Sequence, residues 1–328
     1  MPAAPASPLR ATLASLALLL LGAAGVVLLL LWSGIGAALR AAAAALPVLP
    51  FTIGVHLGQL MLSALAWREV LGRAVEPGVA FRLRVVREGV DSLLPVAQVG
   101  GEILAVGLLA RRGVPAALGG AGTALDLLVE GATLPVVILL GLGALWLLGG
   151  DARAPAAALA AAGLGLAGAG GFALAQRLGM MRLIEAVARR LPAAMRVDGL
   201  HEALLARARD RGALARCALL HVAAWSGGAV EVWIALRALG HPVGIGPAFV
   251  IESLGMAARG AGFAVPGALG VQEGGFVAAA ALFGILPETA LALSALKRVR
   301  EVLVGLAGLV LWRVERTGPR AALGGAGR

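Results

Sequence analysis

The chain has 328 residues, of which 60% are hydrophobic and 14% charged, with a net charge of +10 and a single cysteine, Cys217. The charged fraction lies well below the roughly 25% of a soluble domain, so an ordinary globular protein is excluded and an integral membrane protein is implied. The basic residues cluster between apolar runs, which argues for membrane topology and anionic headgroups rather than nucleic acid, and one thiol excludes an internal disulfide or a cysteine-based metal centre.

In chain order, the run ATLASLALLLLGAAGVVLLLLW at 11–32 is too long for the core of a cleaved signal and predicts a first spanning helix. A second span is expected at 46–66. A basic stretch follows at 67–88, with Arg68, Arg73, Arg82, Arg84 and Arg87, then a mixed segment at 89–110, closed by Arg111 and Arg112. Further spans are expected at 116–148, 154–176, 214–237 and 288–312. Residues 177–216 hold nine arginines and read as a basic loop, part of it lying flat on the membrane. Residues 247–285 are apolar but contain RGAGFAVPGALGVQE at 259–273.

Placing the stretch 67–88, the loop 177–216 and the C-terminal tail in the cytoplasm satisfies the positive-inside rule. Segments 89–110 and 247–285 must then each enter and leave on one side. The expected fold is therefore all-α and polytopic: about six full spans plus two broken, re-entrant hairpins, with both termini cytoplasmic. The chain reads as one transmembrane domain over 1–328.

Shifting the sequence by 171 residues sets Pro95 on Pro266, Glu102 on Glu273, Gly113 on Gly284 and Glu130 on Glu301. This predicts internal repeat halves at about 46–148 and 217–312. The charge pattern gives them opposite orientation, an inverted repeat with a broken segment at matching places.

Helix breaks are expected at Pro95, Gly100 and Gly101, and at Pro266, Gly267 and Gly270. Proline removes a backbone donor and glycine weakens helix, and broken backbone survives at membrane depth only where protein or a wet cavity covers it. An ionised side chain at mid-bilayer costs roughly 2.5–3.5 kcal/mol on the gentler insertion scale, so such groups are expected to pair or to face a cavity. The candidates for a headgroup cavity are Asp91, Glu102, Asp126, Glu130, Arg259, Glu273, Lys297, Arg298 and Glu301. His56 and His221, in apolar helices, read as hydrogen-bonded structural residues. No pattern of metal ligands, catalytic nucleophile or nucleotide-binding loop is present, so neither metal nor cofactor is expected.

RGAGFAVPGALGVQEGG (259–275) with KRVRE (297–301), and EGVDSLLPVAQVGGEILAVGLLARRG (88–113), resemble the membrane domain of the lysylphosphatidylglycerol synthases and its stand-alone flippase-like relatives. Among these the chain is most similar to the hopanoid-biosynthesis-associated membrane proteins. The resemblance implies a bacterial inner-membrane protein that handles lipids. In the synthases a separate cytoplasmic domain aminoacylates the lipid. Here the last apolar run ends near Trp312 with a short tail behind it, so that activity is not expected. The expected function is a non-enzymatic lipid translocator acting on a phospholipid, a hopanoid or a lipid-linked precursor. The alternatives are an accessory protein that serves a lipid-biosynthetic enzyme without transport, and a membrane enzyme using buried carboxylates as acid and base.

Overall fold

A computed structural model describes residues 43, 45–93, 100–149, 199–261, 268 and 270–317. The spans expected at 11–32 and 154–176, most of the basic loop, and Pro95, Pro266 and Gly267 lie outside the described residues.

The secondary structure of the described residues is all helical, with short turns between the helices. A 3-10 turn, Leu46–Val48, leads into α1 (Leu49–Val70), followed by α2 (Pro77–Leu93), α3 (Gly100–Ala110), α4 (Ala116–Leu147), α5 (Leu200–Ala208), α6 (Arg211–Ala238), α7 (Ile245–Ala261), α8 (Val271–Ala281) and α9 (Pro287–Thr317). Three stretches among the described residues are long and apolar enough to cross a membrane: Leu46–Val70, Ala116–Leu147 and Arg211–Ala238. Helix α9 has 31 residues, about 46 Å at 1.5 Å per residue, but carries Lys297, Arg298, Arg300 and Glu301 in its middle. The basic stretch 67–88 is helical up to Val70 and again from Pro77 onward. Proline suits that position because its fixed φ matches the first helical turn, where an N–H has no intrahelical partner.

The helix pattern repeats. Helices α2 and α7 have 17 residues each, α3 and α8 have 11 each, and α4 and α9 have 32 and 31. The starts of α3 and α8, Gly100 and Val271, and those of α4 and α9, Ala116 and Pro287, are each 171 residues apart. Both short second helices end in the same way. Gly113 (φ 82°) and Gly284 (φ 71°) adopt the left-handed conformation that only glycine reaches cheaply. The next amide then reaches back five residues, Val114 N–H to the Leu109 carbonyl and Ile285 N–H to the Ala280 carbonyl, both at 3.2 Å. Pro115 and Pro287 restart the chain as α4 and α9.

The chain forms two compact units. The first-hairpin unit comprises Pro50–Val137, Phe172–Gly228 and Arg298–Arg328. Its apolar core gathers Trp67, Leu71, Leu83, Val86, Leu109 and Cys217. Helix α2 packs against α3. Both ends of this pair meet one carboxylate near the end of α9: Arg82 donates to Glu315 at 3.0 Å, and Arg112 pairs with the same side chain. The two ends of the α2–α3 segment therefore lie near one another, at the end of α9.

The second-hairpin unit comprises Met1–Leu49, Ile138–Gly171 and Ala229–Lys297. Its core is built from Leu236, Ile251, Leu254, Phe276 and Leu293, and here α7 packs against α8.

Candidate functional site: two buried charge clusters

In the first-hairpin unit, charges from α2, α3, α4 and α6 converge. Arg87 and Asp126 are 1% and 0% exposed. Arg87 donates from Nη1 to Asp126 Oδ2 at 2.9 Å and from Nη2 to Glu102 Oε1 at 3.0 Å. Arg84, one turn earlier, forks onto both oxygens of Glu130, at 3.1 Å through Nη1, and lies 3.8 Å from Asp126. The second oxygen of Asp126 meets His221 Nε2 at 2.9 Å. The Trp67 ring lies 5.1 Å from the Arg87 guanidinium, and its indole N–H is held by Thr123. Two guanidinium forks suit this arrangement because each bridges two carboxylates in a plane, which an ammonium cannot do. Asp91, in the last turn of α2, accepts the Gly101 N–H at 2.8 Å.

In the second-hairpin unit, Lys297 is the hub. Its Nζ lies 2.9 and 3.0 Å from the two oxygens of Glu252 and 3.3 Å from Glu231. All three residues are buried, and the Phe276 ring lies 5.6 Å from the ammonium. Glu273 turns back to the start of its own helix, accepting the Gly270 N–H at 2.8 Å, and takes the Ser294 hydroxyl on its other oxygen. Arg259 donates to Gln272 at 3.3 Å.

The candidates thus divide. Asp91, Glu102, Asp126 and Glu130 lie in the first-hairpin unit; Lys297 centres the second cluster, and Glu273 and Arg259 lie in its unit with the partners given above. Arg298 and Glu301 pair with each other at 3.2 Å in the first-hairpin unit. Of the expected break residues, Gly100 and Gly101 open α3, and Gly270 caps α8 with φ 79°.

Sequence reasoning missed Arg84, Arg87, Glu231 and Glu252 as site residues. The two arginines read as part of a basic stretch on the cytoplasmic side. Yet Ala80, Leu83, Val86 and Val90 recur beside them at helical spacing and are all buried. Glu252 stands alone in the apolar run FVIESLGMAA, and Glu231 in AVEVWIAL. A lone acid in such a run is the signal that could have found both. His221 is hydrogen-bonded as expected. His56 lies 3.6 Å from Glu88.

Asp126, Cys217 and His221 bring potential metal-ligand atoms within 4.8 Å of one another. Both Asp126 oxygens are already engaged, and two guanidiniums within 3.8 Å oppose a divalent cation there.

Counted from helix starts, which for α2 and α7 lie 168 residues apart (245 − 77) rather than 171, three charged positions of the two hairpins reverse in sign. Arg84 is seven residues past Pro77 and Glu252 seven past Ile245. Asp91 and Arg259 are both fourteen past the same starts. On the long helices, Asp126 and Lys297 are both ten past Ala116 and Pro287. The pair linking first hairpin helix to long helix is preserved with its charges exchanged: Arg84 near Asp126 in one unit, Glu252 on Lys297 in the other. The carboxylates Glu102 and Glu273, two past the starts of α3 and α8, keep their sign.

Neither a curated protein nor a solved structure matches the chain. A family model described as the lysylphosphatidylglycerol synthase TM region matches residues 13–308. Most of the chain lies within that match, including both hairpins and both charge clusters, and the protein therefore belongs to this family of membrane proteins linked to lipid handling.

Proposed function

We propose that the protein is a lipid translocator of the bacterial inner membrane, with both termini in the cytoplasm and no enzymatic activity of its own. Six spans and two re-entrant hairpins in inverted orientation would carry the headgroup past the hydrophobic barrier while the acyl or polycyclic tail stays in lipid. The lipid is a phospholipid, a hopanoid or a lipid-linked precursor. The observation that carries this reading is the buried network of Arg84, Arg87, Asp126, Glu102 and Glu130 on and beside a helix pair whose two ends meet Glu315. A purely structural protein in lipid gains little from so much buried charge, because desolvation offsets most of the attraction. A headgroup pathway requires polar groups at that depth.

The test is leaflet exchange of labelled lipids in proteoliposomes. The wild type should accelerate exchange over protein-free vesicles, and Arg259→Ala or Glu273→Gln should abolish the acceleration while the protein remains folded in the membrane. No acceleration with any of the three lipid classes would favour the second reading, an accessory protein that presents lipid to a biosynthetic partner enzyme. Altered lipid composition rather than altered sidedness would point to an enzyme.

A further inference from the structure

Helix α1 carries a polar stripe through an apolar sequence. Thr52, His56, Gln59 and Ser63 follow one another at intervals of four, three and four residues, which puts them on one face of the helix. That face is turned inward: Thr52 and Ser63 are 2% and 6% exposed, whereas Phe51 beside it is 67% exposed. His56 and Gln59 flank the middle of the 25-residue stretch Leu46–Val70, which is long and apolar enough to cross a membrane. Both ring nitrogens of His56, and Nε2 of Gln59, are buried and have no hydrogen-bond partner among the described residues. His56 Nε2 lies 3.6 Å from Oε1 of Glu88 on α2, and the Glu88 side chain is a quarter exposed. The Gln59 side chain lies across Gly227 of α6, where a Cβ would come within 2.9 Å of its Cγ and 3.6 Å of its Nε2.

A buried donor without an acceptor costs free energy, the more so at membrane depth, where no bulk water takes its place. A leucine at either position would remove that cost, so folding alone does not account for an imidazole and an amide here. The three groups define what would meet them. An amide NH2 donates, a neutral imidazole donates from one nitrogen and accepts at the other, and a carboxylate accepts on both oxygens. A hydroxyl both donates and accepts, and so satisfies all three. An ionised phosphate diester only accepts, and it would bring a second negative charge beside Glu88. The cations close to Glu88 are Arg84 and Arg300. Arg84 forks onto Glu130, and Arg300 is itself engaged.

We propose that His56, Gln59 and Glu88 form a binding site, near the middle of the α1 span, for the hydroxyl groups of a polyol headgroup, a sugar or a glycerol carried on a lipid. Gln59 donates to one hydroxyl and Glu88 accepts from its neighbours. His56, one helical turn from Gln59 and 3.6 Å from Glu88, serves either role. Gly227 leaves the room that the Gln59 side chain occupies. The site names a substrate class for the translocator reading and rests on it, but binding can be measured without any lipid movement.

The experiment measures lipid binding to the full-length protein by native mass spectrometry, with three lipids of identical acyl chains: monoglucosyldiacylglycerol, phosphatidylglycerol and phosphatidic acid. The wild type should bind one glucosyl lipid more tightly than phosphatidic acid. Phosphatidylglycerol that matches the glucosyl lipid assigns the hydroxyls to a glycerol; one that matches phosphatidic acid assigns them to a sugar. Gln59→Leu and Glu88→Gln should each weaken glucosyl-lipid binding by roughly 3- to 10-fold, the worth of one hydrogen bond, and leave phosphatidic acid unchanged. Gln59→Leu should also melt no lower than the wild type, because the NH2 it deletes has no partner to lose. A wild type that binds phosphatidic acid as tightly as the glucosyl lipid overturns the site. So does a Gln59→Leu variant that keeps the preference, or that melts well below the wild type. If the preference is absent while lipid exchange continues, only this site falls; if the preference holds without exchange, the site stands and the translocator reading falls.

Discussion

Arg87 joins two carboxylates on two different helices from a position 1% exposed to solvent, so its removal strands both Asp126 and Glu102. Breaking a buried pair by deleting one partner typically costs about 3–5 kcal/mol. Arg87→Ala should lower stability by that amount in chemical unfolding, and Arg87→Lys should recover only part of it, since an ammonium cannot fork onto both acids. Lys297 offers a second case. Lys297→Met leaves Glu231 and Glu252 facing each other without their cation and should be strongly destabilising. Adding Glu231→Gln and Glu252→Gln should return most of the loss, because the cost lies in uncompensated charge rather than in missing attraction. A triple variant as unstable as the single one would contradict this account.

At the level of helices, the two hairpins differ from spans in length and in contact. With 17 and 11 residues, α7 and α8 are roughly 25 and 16 Å long, each short of the roughly 30 Å of a bilayer core. Adjacent glycines on α8 separate packing from propensity. A Cβ on Gly275 would lie 2.2 Å from the Cβ of Ala258 on α7, whereas one on Gly274 would meet nothing within 4 Å. Gly275→Ala should cost about 1–3 kcal/mol through overpacking, and Gly274→Ala should be neutral or stabilising by up to about 1 kcal/mol. Equal effects in unfolding experiments would mean that α7 and α8 do not pack as described. Much of this level was legible in the sequence. The apolar runs marked α1, α4 and α6 within a few residues. The burial of Arg84 and Arg87 was not legible from charge density, because arginines in a loop and arginines on a buried helix face have the same composition. Only their spacing against Leu83 and Val86 separates the two cases, and the topology argument averaged over it. The pairing of Lys297 with Glu231 and Glu252 depends on which of three helices meet, which no local pattern in the sequence specifies.

For the molecule as a whole, the ends of the first hairpin give the topology a direct test. Because Arg82 and Arg112 share Glu315, single cysteines placed at Glu76 and at Gly113 in a Cys217→Ser background should react with an impermeant thiol reagent from the same side of the membrane. Labelling from opposite sides would mean that the segment crosses. The same end of the first-hairpin unit is closed by residues from the basic loop. Arg207 on α5 donates to the carbonyls of Glu69 and Val70 at the end of α1, and Arg216 and Arg73 hold the Glu69 side chain.

The clasp at Glu315 also sets an order of events during synthesis. Arg82 leaves the ribosome 233 residues before the acid that holds it. At about 5–20 residues per second, the interval is on the order of ten to fifty seconds. Throughout that wait the nascent hairpin carries Arg82 and Arg112 without their anchor, so its early shelter must come from the insertion machinery or from anionic lipid, and slowing the ribosome after α4 should lengthen the period in which a protease can reach it.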